Sequence, residues 1–157
     1  MKIAVCVKAV PDTEAKIAIA DGKKNIDFNG VRFITSPYDE FAIEEALKLK
    51  EKLGGDTTVI SMGGNECTDV LRDSLARGID NAVHLNDADF AGLDTLSTAK
   101  VLAAAIKDGG YEIVFVGQQG VGGDNSQVPA MLAELLGFAQ TTMVVKFECD
   151  GTTFKAE

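Results

Sequence analysis

The chain has 157 residues and 46% hydrophobic residues, enough to bury the core of a single domain. Its 15 Lys and Arg against 24 Asp and Glu give a formal net charge of −9. This charge excludes a broad nucleic-acid surface, because phosphate neutralisation needs clustered cations. Three cysteines without a Cys-x-x-Cys pair predict neither disulfides nor a metal site. The cysteine pattern predicts a reducing cytoplasm, and without an apolar run of roughly 18 residues we expect no membrane insertion.

The first quarter of the chain predicts a central strand followed by a separate β segment. Residues 3–7 form a continuous apolar run rich in β-branched residues, which is typical of a strand covered on both faces. Residues 8–13 contain no glycine, which excludes the G-x-G-x-x-G fingerprint and the lysine-bearing P-loop there. Residues 16–35 alternate apolar and polar around a hairpin signal at Asp21 and Gly22. They predict a small β excursion outside the main sheet.

From residue 36 onward, helix patterns alternate with strand patterns. Ser36 and Pro37 predict the start of a helix that runs to about Leu53, with Ser36 as cap and Asp39 completing an S-x-x-D capping box. The alternation predicts an α/β fold, with a parallel sheet flanked by helices and ligands beyond the carboxyl ends of its strands. The further predicted strands are residues 57–62, 82–85, 113–116 and 143–147, and the further predicted helices are residues 66–77, 95–108 and a segment beginning near 129.

The strongest local signal is the stretch 114–136. An apolar run ends at Gly117, four glycines fall within seven residues, and a helix begins near Pro129. Backbone N–H groups in such a turn, together with the positive end of a helix dipole, suit a phosphate. Glycines in a strand-to-helix reversal are also explained by the positive φ that a tight turn needs, and one of residues 124–126 could serve only as a helix N-cap. The residues alone leave both interpretations open.

No catalytic group is predicted. His84 is the only histidine, and it lies in a short predicted strand, where a lone imidazole is more often structural. Cys6 and Cys67 lie within predicted elements, where a free thiol usually behaves as a small apolar residue. The acidic residues lie mostly on helix surfaces and form no paired-carboxylate constellation.

Four segments in order resemble the β subunit of electron transfer flavoproteins: residues 5–13, 36–46, 71–78 and 117–131. The resemblance is collinear over essentially the whole chain. It implies one nucleotide-binding domain over residues 1–157, with a Rossmann-like fold of the adenine nucleotide α-hydrolase type. Because β subunits of that family continue past residue 157, it also implies that the chain is truncated at its C-terminus.

The resemblance also implies a function as an electron carrier component rather than a self-sufficient enzyme. Family β subunits pair with an α subunit and help it hold FAD, which shuttles electrons between dehydrogenases and a downstream acceptor. The β subunit itself holds AMP, or a second FAD in members that bifurcate electrons, and this sequence leaves the two open. The nucleotide contacts carried over from the family, with the glycines of the turn, are Cys6, Ser36, Met62, Gly117, Gly123, Asp124, Ser126, Gln127 and Val128.

An alternative is a stand-alone ATP- or AMP-binding regulator like the universal stress proteins. Gly117 and Gly120 fit the first glycine pair of that class. The Gly-Ser pair that should follow near residues 130–131 is absent, because those residues are Ala and Met. The sequence also departs from the flavoprotein pattern at Gln118, where a basic residue usually follows the first glycine. Flavin absorbance that appears only in the presence of an α subunit would distinguish the carrier from the regulator.

Overall fold

Strands and helices alternate along most of the chain. The structure, a computed structural model, describes residues 1–20, 22 and 26–157. In chain order the elements are β1 (Lys2–Cys6), β2 (Ala9–Pro11), β3 (Ala18–Ile19), β4 (Ile26–Asp27), β5 (Phe33–Thr35), α1 (Pro37–Leu53), β6 (Asp56–Met62), α2 (Cys67–Ala76), β7 (Asn81–Leu85), a 3-10 turn (Ala88–Phe90), α3 (Thr95–Lys107), β8 (Ile113–Val116), α4 (Val128–Leu136), β9 (Phe147–Cys149) and β10 (Phe154–Ala156).

The centre of the molecule is a parallel sheet with the strand order β7-β6-β1-β8. Val5 of β1 lies opposite Val59 of β6 on one side and Phe115 of β8 on the other. The predicted α/β class, the parallel sheet and the internal position of the first strand are therefore confirmed. Because β6 and β7 extend the sheet on one side of β1 and β8 extends it on the other, the strand order reverses between β1 and β8. Ligands bind at such reversals in open α/β sheets.

Two hydrophobic clusters cover the two faces of the sheet. Ile3 and Val5 of β1 pack with α1 in one cluster, whereas Ala4 and Cys6 pack with α3 and α4 in the other. Neighbouring residues of a strand point to opposite faces, so a strand buried on both sides needs apolar side chains throughout. This packing is the physical reason for the continuous apolar run near the N-terminus.

The predicted β excursion near residues 16–35 is confirmed as a set of short antiparallel pairs outside the main sheet. β2 pairs with β5, placing Val10 opposite Ile34, and β3 pairs with β4. Gly22 has a φ of 64°, a left-handed conformation that suits its predicted place in a hairpin turn. Asp21, the other half of that hairpin signal, lies outside the described residues.

The strand predicted at residues 143–147 is wrong. β9 begins only at Phe147 and pairs antiparallel with β10, not with the main sheet. The Phe147 ring packs edge-on against Phe115 of β8, with 5.3 Å between ring centroids. Met143 and Val145 lie outside any strand and are 71% and 88% exposed. These apolar residues suggested a strand, but none of the described strands of the main sheet pairs with them.

The cysteines lie inside the fold as unpaired thiols. Cys6, Cys67 and Cys149 are free thiols, and all three are buried. Within the described residues, no cluster of three or more His, Cys, Asp or Glu side chains is placed to hold a metal ion. None of the helices in the described part of the chain has the length and apolar character needed to cross a bilayer.

Candidate functional site

The candidate site lies at the carboxyl edge of the sheet, where the strand order reverses between β1 and β8. The Ser36 N–H donates to the Lys8 carbonyl at 2.9 Å, which sets the N-terminus of α1 beside the end of β1. β8 ends at Val116, and the turn 117–127 carries the chain from there to α4. A helix start and a turn thus meet at the switch point.

Asp39 connects these three segments. One carboxylate oxygen, Oδ2, accepts the Lys8 N–H at 2.8 Å, and the other, Oδ1, accepts the Gly117 N–H at 3.1 Å. The residue is only 5% exposed. Burial raises the pKa of Asp39 to about 6, opposed by the two N–H bonds and by the nearby Lys8 ammonium. The first turn of α1 is therefore tied to the ends of two parallel strands.

The predicted capping box at the start of α1 is wrong. Ser36 is the N-cap residue, but its side chain makes no capping hydrogen bond. Asp39 does not complete the S-x-x-D pattern, because its carboxylate is turned toward Lys8 and Gly117 instead. Local spacing cannot reveal a partner that lies 78 residues further along the chain.

Gly117 is required by close packing. A Cβ at this position would overlap the Asp39 carboxylate and would lie 2.8 Å from the carbonyl carbon of Tyr38. A Cβ at Gly120 would similarly lie 2.8 Å from Cδ of the Lys8 side chain. A Cβ at Gly123, by contrast, would meet only the Asn125 amide, at 3.9 Å. The glycines of the turn therefore have different roles: Gly117 allows the start of α1 to approach, Gly120 lies against the Lys8 side chain, and Gly123 has room for a side chain.

A side-chain network shapes the outer part of the turn. Gln119 Nε2 donates to Asp124 Oδ1 at 3.0 Å, and the Ser126 hydroxyl donates to Gln119 Oε1 at 2.9 Å. Asp124 and Ser126 both have a left-handed backbone, with φ of 49° and 53°. The expectation that one of residues 124–126 caps the following helix is wrong, since the N-cap of α4 is Gln127. The left-handed residues redirect the chain before the helix begins.

The start of α4 is held to α3. The Thr95 hydroxyl donates to Gln127 Oε1 at 2.9 Å, so the amide of Gln127 keeps its NH₂ group for another partner. Val128 is the first residue of α4. The predicted helix start near residue 129 is therefore confirmed to within one residue.

Lys8 supplies a positive charge at the turn. Its ammonium donates to the Val121 carbonyl at 3.3 Å, and its aliphatic stem runs past Gly120. In the sequence, Gln118 stands where a basic residue is usual in the family. The ammonium of Lys8, which follows β1, lies beside the turn instead, and only the folded topology reveals this.

Met62 lies at the same edge of the sheet on the other side of β1. It ends β6, and the Gly63 N–H that follows donates to the Leu85 carbonyl at 3.1 Å. His84 Nε2 lies 3.0 Å from the carbonyl oxygens of both Gly63 and Gly64. Because both partners are acceptors, we assign the proton to Nε2, which donates to them. His84 therefore holds the turn after β6, in agreement with its expected structural role.

Two buried hydroxyls at the start of α1 make no hydrogen bond within the described part of the chain. They belong to Thr35 and Ser36, which are 3% and 0% exposed. A buried hydroxyl without a partner is costly, so such a group calls for a partner that the protein does not provide. At the start of α1, with the Lys8 ammonium nearby, the pair fits a ligand that carries hydroxyl groups and negative charge, such as a nucleotide.

The structure gathers the sequence-predicted site residues in three places, although their role as ligand contacts stays a prediction. Cys6, Ser36 and Gly117 lie at the switch point, the residues from Gly123 to Val128 form the outer turn and helix start, and Met62 lies beyond β1. Burial, assisted by the Asp39 charge, raises the pKa of Cys6 to about 12. The Cys6 side chain packs among residues of α3 and α4, so any contact from Cys6 with a ligand would come from its backbone. Sequence analysis missed Asp39 and the Lys8 ammonium, because both act across large sequence separations.

The parallel sheet, its crossover helices and the turn at the strand reversal define a Rossmann-like α/β domain. Residues 25–157 match the family of the electron transfer flavoprotein domain. The chain belongs to the electron transfer flavoprotein family.

Three curated relatives illustrate the similarity. The chain is 47% identical over 155 residues to electron transfer flavoprotein subunit beta of Clostridium acetobutylicum, covering 99% of this chain and 60% of that protein. It is 45% identical over 151 residues to the same subunit of Thermoanaerobacterium thermosaccharolyticum, covering 96% and 58%. It is 44% identical over 151 residues to Protein FixA of Azorhizobium caulinodans, covering 93% and 53%. The chain thus spans less than two thirds of the length of these relatives.

Proposed function

We propose that this chain forms the nucleotide-binding core of an electron transfer flavoprotein β subunit. Together with an α subunit it would help hold FAD and pass electrons from dehydrogenases to a downstream acceptor. The observation that carries the proposal is the convergence at the switch point of a glycine turn, a helix start and the unpaired Ser36 hydroxyl. It occurs in a chain whose relatives bear the name of that subunit.

An adenine nucleotide fits the chemistry of the site. The protein carries a net charge of −9, so an anion must be held by local dipoles and a local cation rather than by the overall field. The turn 117–127 offers backbone N–H groups, Lys8 offers an ammonium, and Ser36 and Gln127 offer neutral polar groups. FAD supplies the one- and two-electron chemistry when it is bound. The residues of this chain bind and orient the nucleotide, whether AMP or a second FAD occupies the site.

Calorimetric titration with AMP, ADP and FAD tests the nucleotide site directly. We expect at least one of them to bind, and we expect Ser36→Ala to weaken binding without lowering the free energy of unfolding, since its buried hydroxyl has no protein partner to lose. Ser74→Ala is the matched control, because it is the same change at another buried serine, whose hydroxyl donates to the Val70 carbonyl within α2 at 2.8 Å. Loss of that bond should cost about 1 kcal/mol of stability and leave affinity unchanged.

Two outcomes would contradict the proposal. The first is an absence of binding heat for every nucleotide when circular dichroism shows a folded protein. The second is an equal effect of the two substitutions on affinity, which would show that the Ser36 hydroxyl makes no specific contribution to binding.

Copurification with a candidate α subunit tests the carrier role. We expect flavin absorbance in the visible range only when both chains are present, because the FAD would be held jointly. The alternative of a stand-alone regulator is not favoured by the family match, and it predicts nucleotide binding that is independent of any partner. Flavin-free complexes under reconstitution with excess FAD would argue against the carrier.

A further inference from the structure

Asp39 makes an unusual set of contacts for a carboxylate in the first turn of a helix. Its two oxygens accept backbone N–H groups from two different strand ends, Lys8 after β1 and Gly117 after β8. It thereby spans the reversal in strand order at which ligands bind in this class of sheet. Gly117 has room for no side chain because the Asp39 carboxylate lies against it. The first residue of the turn 117–127 is thus fixed by a residue that does not belong to the turn.

The surroundings of Asp39 contain few other charges. From the end of β1 it faces the Cys6 thiol and the Lys8 ammonium. On α1 its chain neighbours are Tyr38 and Glu40, of which Glu40 is exposed and pairs with Arg77 at 3.3 Å. The turn 117–127 contributes Asp124 as its sole charged residue, and β5 contributes none. The positive end of the α1 dipole also favours a negative charge at this position.

We propose that Asp39 is a positioning residue for the bound nucleotide, whose ionised carboxylate holds the turn 117–127 against the end of β1 so that the N–H groups of the turn face the ligand. The nucleotide half of this inference rests on the proposed function. Asp39 itself makes no contact with the ligand in this account. It acts through Gly117 and Lys8.

Only the ionised form can make both bonds well. A carboxylate accepts at both oxygens, whereas a protonated carboxyl carries a donor on one oxygen, which would face an N–H group. An asparagine has the same defect permanently, since its NH₂ group would oppose one of the two N–H donors. Either change leaves one strand end without its partner and frees the turn.

The sign of the pH dependence follows from this. Burial raises the pKa of Asp39 to about 6, so the ionised, bridging form dominates at pH 7 and above and is lost as the pH falls below about 6. If only the bridged turn binds, the apparent dissociation constant rises as the bridged fraction falls. Affinity should then weaken by about tenfold between pH 7 and pH 5.

The decisive experiment measures nucleotide affinity from pH 5 to pH 8 for the natural protein, Asp39→Asn and Glu40→Gln. Glu40→Gln removes the same charge one residue away, on the exposed side of α1. We expect Asp39→Asn to bind at least tenfold more weakly than the natural protein at pH 7.5, and this difference should shrink as the pH falls toward 5. Glu40→Gln should keep both the affinity and the profile of the natural protein. Titration of the nucleotide's own phosphate cancels in this comparison.

A measurement without ligand separates this inference from the proposed function. In the natural protein, the NMR shifts of the Lys8 and Gly117 amides should titrate together with a midpoint near pH 6, and their hydrogen exchange should quicken on acidification. This needs no variant, so it holds even if Asp39→Asn fails to fold.

The possible results distinguish the positioning role of Asp39 from the proposed function. Natural affinity and an unchanged pH profile in Asp39→Asn would overturn the positioning role while leaving nucleotide binding intact, and so would Lys8 and Gly117 amides that do not titrate. Coupled titration of both amides in a protein that binds no nucleotide would overturn the proposed function and the nucleotide half of this inference.

Discussion

Gly117 and Gly123 belong to the same turn, but a methyl group at the two positions would meet different surroundings. At Gly117 it would collide with the Asp39 carboxylate and the Tyr38 backbone, whereas at Gly123 it would meet only the Asn125 amide at 3.9 Å. We expect Gly117→Ala to lower the free energy of unfolding by about 1–3 kcal/mol, as overpacking does. Gly123→Ala should change it by less than about 0.5 kcal/mol. Urea denaturation of both variants gives the comparison, and equal midpoints would contradict the close packing at Gly117.

The hydrogen-bond partners of two aspartates could not be predicted from the sequence. Asp39 and Asp124 both precede or begin helical segments, and local rules assigned both to capping. In the structure Asp39 reaches two strand ends, and Asp124 accepts a bond from Gln119 inside the turn. A carboxylate near a helix start has several possible donors, and which one it meets depends on tertiary approach. The position of the site at the strand reversal was predictable, whereas these partners were not.

Secondary-structure elements were more predictable, because their periodicity is local. The helices α1 to α4 and the strands of the main sheet begin within two residues of their predicted positions. The exception is the predicted strand at 143–147, where β9 begins only at the last of those residues. An apolar run indicates β-propensity, but a strand also needs a neighbour to pair with. Periodicity carries no information about that neighbour.

Asp80 links two elements and should make stability depend on pH. Its carboxylate accepts from the Lys50 ammonium of α1 at 2.6 Å and from the N–H and hydroxyl of Thr57 in β6, at 2.9 Å and 2.8 Å. The Lys50 bond and then the Thr57 bonds lower the pKa of Asp80 to about 2. Because the folded-state pKa lies below the unfolded one, this stabilisation is present above about pH 4 and is lost as the pH falls toward 2.

Asp80→Ala should therefore cost about 1 kcal/mol at pH 7, a value kept low because the pair is partly exposed to solvent. Its difference from the natural protein should shrink toward pH 2 in chemical denaturation. Glu51→Ala, an exposed position on the same helix as Lys50, is the control and should have little effect at either pH. A cost for Asp80→Ala that stays constant with pH would rule out the ion pair as its source.

At the scale of the whole molecule, one run of three consecutive exposed apolar residues lies after α4, at residues 143–145. Met143 and Val145 are 71% and 88% exposed, and Val144 between them is also exposed. Consecutive exposed apolar residues favour association with another surface.

We expect the double variant Met143→Gln and Val145→Thr to scatter less light at high protein concentration, with an unchanged melting temperature, since neither side chain belongs to the core. Leu75→Gln, a single exposed apolar residue on α2, is the control and should leave association as it is. If the double variant associates as strongly as the natural chain, some other surface is responsible.

The three buried thiols give the molecule natural chemical probes of opening at different depths. Cys6 ends the internal strand of the sheet, whereas Cys149 belongs to the hairpin of β9 and β10. A thiol reagent can reach each sulfur only when the structure around it opens, so the modification rate measures how often that opening occurs. Cys149 can be exposed by detachment of the hairpin alone, whereas Cys6 requires separation of the sheet from α3 and α4. The chain can therefore report the free energies of local and global opening from two of its own residues, without an added label.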